Sequence, residues 1–363
     1  DVYIYRYVNI NNSLVKAINA FIANLIFRNF LFIKAINKIA KKRQIHFIHV
    51  HDLPLVNTAI ILRKKLAIKV IFDCHENFPE ALQAWHKWNI FSLKNSIKQY
   101  VFGYKRWLNY EKRALEKSDA SIVVVKEMKE RMISLHHIPA NKLTVVSNTE
   151  PKSFNKNEIN PNIINIAKDE FIVSYIGGFG PHRGIDTAIE ALSYIDNPNI
   201  TLLLIGQGSK DVELKINTLI STLSLEKRIK KLPWQPFHTV PSFVAISNLC
   251  LVPHHKNPHT SNTIPHKLFQ YMSFGKPVIT SDCESLSSVI NDTKAGLVFE
   301  AGNSKDLAEK IMKFNGVIDN ENNLGGGQQG IGTSHKGPKD ITRLSFNKAK
   351  AIWDKAAQRL LAA

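Results

Sequence analysis

The residues FIVSYIGGFGPHRG, at positions 171–184, decide the fold class. The apolar, β-rich run at 171–176 predicts a buried strand, and the glycines that follow it predict a tight turn. A helix is expected to begin near Asp186, which completes the strand, turn and helix of one unit of a parallel sheet. Backbone amides and the helix N-terminus converge at such a turn, so it is expected to attract phosphate.

The same alternation of apolar run and helical stretch continues through the chain. Further strands are predicted at 200–205, 229–232, 249–252, 277–280 and 297–299, and earlier ones at 45–50, 69–72 and 121–125. The sequence therefore predicts an α/β fold with two doubly wound domains.

The Asn- and Pro-rich stretch at 147–167 interrupts this alternation and is the predicted linker. It separates an N-terminal domain at 1–155 from a C-terminal domain at 156–335. A closing helix is expected within 340–363, as a candidate to cross back to the N-terminal domain.

The composition is that of a globular protein with a polyanionic partner. Of 363 residues, 44% are hydrophobic, which excludes a disordered chain, and 48 basic residues outnumber 30 acidic ones. Residues 1–150 alone hold 24 of these basic and 11 of these acidic residues. Phosphates of a substrate, a nucleic acid and an anionic membrane all fit this charge. The three cysteines, an odd number, argue against a disulfide framework and favour the cytoplasm.

The segment 84–113 interleaves eight aromatic residues with seven basic residues and a single acidic one. Amphipathic helices of this composition bind anionic membrane surfaces, which predicts peripheral attachment to the inner face of the membrane. The alternative, which the sequence leaves equally open, is that these aromatic side chains pack into their own domain.

Two further turns follow predicted strands of the second domain. Gly206 and Gly208 follow the strand at 200–205, and Trp234 follows the strand at 229–232. The ligand crevice of a doubly wound sheet lies outside the carboxyl ends of its strands, so these turns are expected to form one ligand site with the first glycine turn. The alternative is that they are ordinary packing turns.

The segment HTSNTIPHKLFQYMSFGKPVI, at 259–279, predicts a helix of about three turns. Thr263 is expected to cap this helix, Pro265 to lie in its first turn and Gly275 to end it. His266 and Gln270 are four residues apart and therefore share one face. That face is expected to meet a ligand at the helix N-terminus.

The order of these motifs resembles that of the retaining glycosyltransferases of family four. The similarity spans 45–314 and includes His49-x-His51-Asp52 and Asp73-x-His75-Glu76 in the first domain. It implies the GT-B fold, in which two Rossmann-like domains face a central cleft. Family members open with a further strand and glycine-rich loop, and this first βα unit is expected to be missing from the N-terminal domain.

The resemblance also implies roles for individual residues. Arg183 matches the basic residue that holds the donor diphosphate, and His51 matches the active-site histidine, with His49 as the alternative. Asn262 and Gln270 stand where the family has two glutamates, the first approaching the donor sugar and the second the nucleotide ribose. The implied catalytic residues are His51, Arg183 and Asn262. The implied donor-binding residues are Gly177, Gly178, Gly180, Arg183, Gly206, Gly208, Trp234, Thr263, His266, Lys267 and Gln270.

The implied activity is transfer of a sugar from a nucleotide-sugar donor to a saccharide or lipid-linked acceptor in cell-surface polysaccharide synthesis, with retention of configuration. No metal and no cofactor are implied, and a nucleic acid is not expected as a partner. Two alternatives stay open. One is a GT-B nucleotide-sugar epimerase, against which the amides at 262 and 270 argue. The other is a catalytically weak protein that binds polyanions or nucleic acids.

Overall fold

The computed structural model describes residues 13–85, 100–151, 154, 160, 163 and 170–324. The chain forms two compact units that divide between Ser147 and Asn148, whereas the sequence places the boundary at 155/156. Asn148 belongs to the second unit because its side-chain amide donates a 2.8 Å hydrogen bond to the Ile264 carbonyl oxygen. The closing helix expected within 340–363 lies outside the described residues.

The described part of the first unit contains a parallel sheet with the strand order β1-β2-β3-β4. The strands are β1 Phe47–His51, β2 Lys69–Cys74, β3 Ala120–Val123 and β4 Leu143–Val145. The first three were predicted, and β4 was not, because a run of three residues gives no readable period. The helices are Ser13–Ile26, Phe30–Ala40, Val56–Leu66, Phe78–Trp85, Tyr104–Lys117 and Lys126–His136.

Some side chains of the described part of the basic aromatic segment pack into the first unit, whereas Tyr100 is 69% exposed. Trp107 is fully buried and its ring lies 4.9 Å from that of Phe27. Arg106 places its guanidinium group 3.9 Å above the Phe27 ring and donates hydrogen bonds to backbone carbonyl oxygens. The packing alternative is therefore correct for these two side chains, while 86–99 lie outside the described residues.

Within the described residues, no single helix has the length and apolar character needed to cross a membrane. The helical stretches Ala17–Ile26 and Phe30–Ala40 meet those criteria only as a pair, and they are bent by 88° relative to each other.

The described part of the second unit contains a parallel sheet with the strand order β10-β9-β8-β5-β6-β7. Its strands are β5 Phe171–Ile176, β6 Ile200–Ile205, β7 Ile229–Leu232, β8 Leu249–Val252, β9 Val278–Ser281 and β10 Gly296–Phe299. They agree with the predicted ranges to within one residue at each end. For β5, β6 and β8 the reason is burial: every residue of these strands is buried, so each has a nearly continuous apolar sequence.

Helices connect these strands, and the apolar faces of the longer helices pack on the sheet. They are Ile185–Ser193, Lys210–Thr222, Val240–Ile246, Pro258–Ser261, His266–Ser273, Glu284–Thr293 and Ser304–Leu324. The order of strands reverses between β5 and β8, which is the switch point where doubly wound sheets bind ligands. The predicted two-domain α/β fold with parallel sheets is therefore confirmed.

Candidate functional site

The glycine turn after β5 is fixed to the end of β8. Gly184 has a φ of +66°, and a Cβ atom at this position would lie 1.7 Å from the carbonyl oxygen of Pro253. No side chain fits such a gap, so glycine is required here. Gly178 is different, because a Cβ atom there would come no closer than 3.8 Å, to the Trp234 ring. The turn therefore has room for a side chain at Gly178.

The backbone amides of the turn fall into two groups. Gly177 and Phe179 donate hydrogen bonds of 2.8 and 3.0 Å to carbonyl oxygens at the end of β6. The amides of Gly178 and Gly180 donate none to the residues that the structure describes. These two amides are therefore the ones that this part of the turn offers to an anion.

Gly206 and Gly208 use their amides within the protein. Gly206 donates to the Leu232 carbonyl oxygen at 3.0 Å, and Gly208 donates to the Glu213 carboxylate at 2.8 Å. A Cβ atom on Gly206 would lie 2.0 Å from the carbonyl oxygen of Gly177. These glycines thus allow the turn after β6 to contact the turn after β5. Their amides are already hydrogen-bonded within the protein and are not free for a ligand.

Arg183 lies at the switch point and donates a 3.0 Å hydrogen bond to Nε2 of His254, which follows β8. His254 is buried, and burial together with the Arg183 charge lowers its pKa well below the usual value. A neutral imidazole accepts a hydrogen bond, so His254 holds the guanidinium group without neutralising its charge. The charge of Arg183 is available for a ligand.

Lys267 adds a second basic group to this region. Its Nζ atom lies 3.6 Å from the centre of the Tyr175 ring, and no described residue accepts a hydrogen bond from it. Burial, with a smaller contribution from Arg183, lowers the pKa of Lys267 well below its usual value. The amine is therefore buried beside the glycine turn with hydrogen-bonding capacity that the described protein leaves unused.

His182 is a residue of this site that the sequence analysis did not single out. The residue is 8% exposed, and neither ring nitrogen has a hydrogen-bond partner among the described residues. Burial and the neighbouring Arg183 charge lower its pKa to about 3, so it is neutral near pH 7. Its position beside Arg183 in the sequence was the available signal. His254 was also not singled out in the sequence analysis. Its available signal was its position two residues after the buried strand β8.

Trp234 lies beside the same turn and is 60% exposed. A Cβ atom at Gly178 would have the Trp234 ring as its nearest neighbour, at 3.8 Å. An exposed indole next to an anion-binding turn offers a flat apolar surface on which a nucleotide base can stack. The structure therefore brings the predicted residues Trp234 and Gly178 together.

The start of the predicted ligand-facing helix differs from expectation. The helix begins at His266, after Pro265, and a separate short helix, Pro258–Ser261, precedes it. Thr263 does not cap the helix, because its hydroxyl donates to the His259 carbonyl oxygen at 3.0 Å. Asn262 likewise donates its side-chain amide to the Pro258 carbonyl oxygen at 2.7 Å. Both side chains thus hold the short helix in place.

A carboxylate that the sequence did not reveal lies on the face shared by His266 and Gln270. Oε1 of Glu150 accepts a hydrogen bond of 3.0 Å from the Gln270 amide and lies 3.1 Å from Nδ1 of His266. The Glu150 side chain is only 6% exposed. The resemblance predicts that the family's carboxylate at position 270 is replaced by an amide. The structure nevertheless has a carboxylate beside Gln270, and it is supplied by Glu150, at the start of the second unit.

The first unit holds its own polar cluster at the carboxyl ends of β1 and β2. Three histidine Nε2 atoms lie close to Oδ2 of Asp73: His49 at 2.7 Å, His51 at 3.3 Å and His75 at 3.0 Å. Burial raises the pKa of Asp73, but the contacts with His75 and His49 outweigh burial, and the pKa is lowered. The contact with Asp73 also raises the pKa of His75. His51 is thus one member of a four-residue cluster.

Comparison with known proteins finds one family model for each half of the chain. A model described as "Glycosyl transferases group 1" matches residues 156–319, and one described as "Glycosyltransferase Family 4" matches 5–149. An uncharacterized glycosyltransferase of Methanocaldococcus jannaschii is 28% identical over 78% of this chain and 68% of its own length.

Two further relatives carry more specific names. A capsular polysaccharide biosynthesis glycosyltransferase of Staphylococcus aureus is 22% identical over 62% of this chain and 60% of its own length. An Escherichia coli UDP-Gal:alpha-D-GlcNAc-diphosphoundecaprenol alpha-1,3-galactosyltransferase is 21% identical over 84% of this chain and 76% of its own length. The crystal structure of Anabaena HepE in complex with UDP matches with a TM-score of 0.65 and 17% identity, over 91% of this chain and 82% of that one. The parallel two-domain fold and these matches to both halves support a GT-B glycosyltransferase of group 1.

Proposed function

We propose that this protein transfers a sugar from a nucleotide-sugar donor to a saccharide or lipid-linked acceptor in cell-surface polysaccharide synthesis, with retention of configuration. The observation that carries the proposal is the cationic site at the switch point of the second unit. There the Arg183 charge and the buried Lys267 amine adjoin two unused backbone amides. A donor diphosphate carries the charge and the oxygens that these groups require.

The leaving diphosphate gains negative charge as the bond to the sugar breaks. In the proposed reaction Arg183 and the amides of Gly178 and Gly180 stabilise that charge, and Lys267 adds a donor from the same side. These groups are already positioned, so little reorganisation accompanies the reaction. No divalent ion is required at the diphosphate, because side chains and backbone amides supply the positive potential there.

The nucleoside end of the donor is assigned to Trp234 and Glu150. The exposed Trp234 indole stacks on the base, and the Glu150 carboxylate, held by Gln270, accepts hydrogen bonds from ribose hydroxyls. Asn262 faces the donor sugar in this proposal, as its match to the first family glutamate implies. Retention of configuration rests on the resemblance to retaining enzymes.

The acceptor is assigned to the first unit, with His51 beside the reacting hydroxyl. The excess of basic residues in 1–150 favours an acceptor that carries phosphate or lies at an anionic membrane. The Escherichia coli relative is named for a diphosphoundecaprenol-linked sugar and the Staphylococcus aureus relative for capsular polysaccharide biosynthesis. On this basis we assign the protein to the cytoplasmic face of the membrane, as a peripheral protein.

The test is a calorimetric titration of the protein with UDP, GDP, ADP and dTDP and their common sugar conjugates, in the presence of EDTA. We expect one nucleotide family to bind with clear preference, and the anomeric configuration of the transfer product, measured by NMR, to match that of the donor. Equal and steeply salt-dependent binding of all nucleotides and of DNA would instead support the polyanion-binding alternative.

A further inference from the structure

The polar cluster of the first unit has the geometry of a ligand set. β1 and β2 are parallel, and their register places His51 opposite Asp73. His49 lies two residues before His51 and therefore points to the same face of the sheet. One ring nitrogen of each histidine and a carboxylate oxygen of Asp73 all lie within 4.8 Å of one another. Three side chains from two strands thus converge on one point.

Two imidazole nitrogens and one carboxylate oxygen are ligands that Zn²⁺ and its neighbours in the first transition row prefer. In a tetrahedral site with bonds of about 2.0–2.1 Å, neighbouring ligand atoms lie roughly 3.3 Å apart. His51 Nε2 lies 3.3 Å from Asp73 Oδ2, and His49 Nε2 lies 2.7 Å from it. His49 Nε2 therefore has to move away from Asp73 by roughly 0.6 Å to admit an ion between the three groups.

The Asp73 carboxylate is the group of the cluster whose negative charge needs a nearby cation. Its side chain is 7% exposed, and Oδ1 is buried with no hydrogen-bond partner among the described residues. A buried, partly unsatisfied carboxylate is costly unless a positive charge compensates it. His75 approaches the same carboxylate, with Nε2 3.0 Å from Oδ2, and is placed to orient it as an outer neighbour.

Solvent reaches the cluster from the histidine side. The His51 side chain is 66% exposed and the His49 side chain 43% exposed, which leaves an entry path and an open fourth position. We propose that His49, His51 and Asp73 bind one divalent transition-metal ion of the Zn²⁺ class. This binding claim does not depend on the proposed transfer reaction.

The experiment uses the full chain, stripped with EDTA and dialysed into metal-free buffer. Zn²⁺ is titrated by calorimetry, and Co²⁺ is titrated while its visible d–d absorption is recorded. We expect one ion to bind with a Co²⁺ spectrum of four- or five-coordination. His49→Gln and His51→Gln should each weaken that binding by about tenfold or more, whereas His238→Gln, at an exposed histidine of the other unit, should leave it unchanged.

Circular dichroism in EDTA checks that the variants fold. The proposal is overturned if the wild type gives no Co²⁺ band, or if His49→Gln and His51→Gln bind Zn²⁺ as tightly as the wild type does. The first result would mean that the cluster binds no ion, and the second that the ion binds elsewhere on the chain.

A second measurement links the ion to the proposed reaction and rests on that proposal. An ion bound to Nε2 of His51 occupies the atom assigned to the acceptor side, so Zn²⁺ should inhibit transfer measured in its absence. Each protein is compared with its own rate in EDTA, and His49→Gln should require about tenfold more Zn²⁺ for the same inhibition. Ion binding without inhibition would leave the site standing and remove His51 from the reaction. Absence of any transfer would count against the proposed function alone.

Discussion

The glycine-turn site of the second unit and the histidine cluster of the first occupy equivalent places and have opposite chemistry. Both lie at the carboxyl ends of neighbouring parallel strands. The second unit presents Arg183 and Lys267 with unused amides, whereas the first presents the buried Asp73 carboxylate with three imidazoles. Sheet topology therefore determines where ligand-facing side chains lie, and residue type determines the sign of the charge that they attract.

The strongest test of the cationic half is Arg183→Ala. The substitution removes the only guanidinium group of the turn 177–184 and should raise the barrier to transfer by about 2 to 4 kcal/mol, or roughly 30- to 1000-fold in rate. Initial rates with saturating donor measure the effect. Lys215→Ala, at an exposed lysine of the same unit, is the control for loss of one charge. A near-normal rate in Arg183→Ala would remove this residue from the reaction.

The Glu150 and Gln270 pair tests whether the second unit also needs a negative charge. Gln270→Glu places a second carboxylate beside the buried one, which should raise the pKa of one of them and weaken nucleotide binding by roughly tenfold. Glu150→Gln removes the charge and should weaken binding by a similar factor, measured by calorimetry.

The matched control is the exchange of the two residues. Glu150→Gln combined with Gln270→Glu restores one carboxylate and one amide at the same place, so affinity should recover to within a few-fold of the wild type. If the double variant binds no better than either single variant, the carboxylate is structural and does not touch the ribose.

We expect Lys267 to make nucleotide binding depend on pH. Burial and Arg183 lower the pKa of its free amine, and a bound diphosphate must raise that pKa again by adding negative charge nearby. Binding should therefore take up a proton, and affinity should fall as pH rises above the pKa of the free site, by at most about tenfold per pH unit. Calorimetry in two buffers with different ionisation enthalpies counts the proton.

The control for this effect is Lys267→Met, which keeps most of the side-chain volume and removes the amine. Proton uptake should disappear in this variant. Uptake that persists unchanged would assign the proton to the buried histidines near Arg183 instead.

The smallest expected effect concerns Trp234. Because the indole is exposed, Trp234→Leu should leave the free energy of unfolding almost unchanged, while nucleotide affinity falls by about three- to tenfold through loss of stacking. Trp234→Phe should recover part of the affinity. Equal affinities for all three proteins would place the base elsewhere.

The strands β5, β6 and β8 of the second unit were predictable because burial on both faces favours apolar residues along their whole length. The glycine turn was predictable for a related reason: a backbone that approaches another backbone requires glycine at fixed positions. Both signals are local in sequence. The role of Arg183 in this turn is implied only by the resemblance to the family.

The carboxylate of Glu150 was not predictable in the same way. It lies in a stretch rich in Asn and Pro that has no periodicity, and its partner Gln270 is 120 residues away. The convergence of His49 and His51 on one oxygen of Asp73 likewise depends on the register of β1 against β2, which neither strand specifies alone. The capping prediction for Thr263 was wrong because the short helix before it competes for the hydroxyl.

The contact between Gly206 and Gly177 also bears on the entropy of ligand binding. The two turns touch through backbone atoms, and the amides of Gly177 and Phe179 extend the ladder between β5 and β6 beyond the strands. The turn is therefore ordered as part of the sheet before any ligand arrives. A nucleotide that binds there loses its own freedom of motion but imposes little new order on the protein, so more of the contact energy remains as affinity.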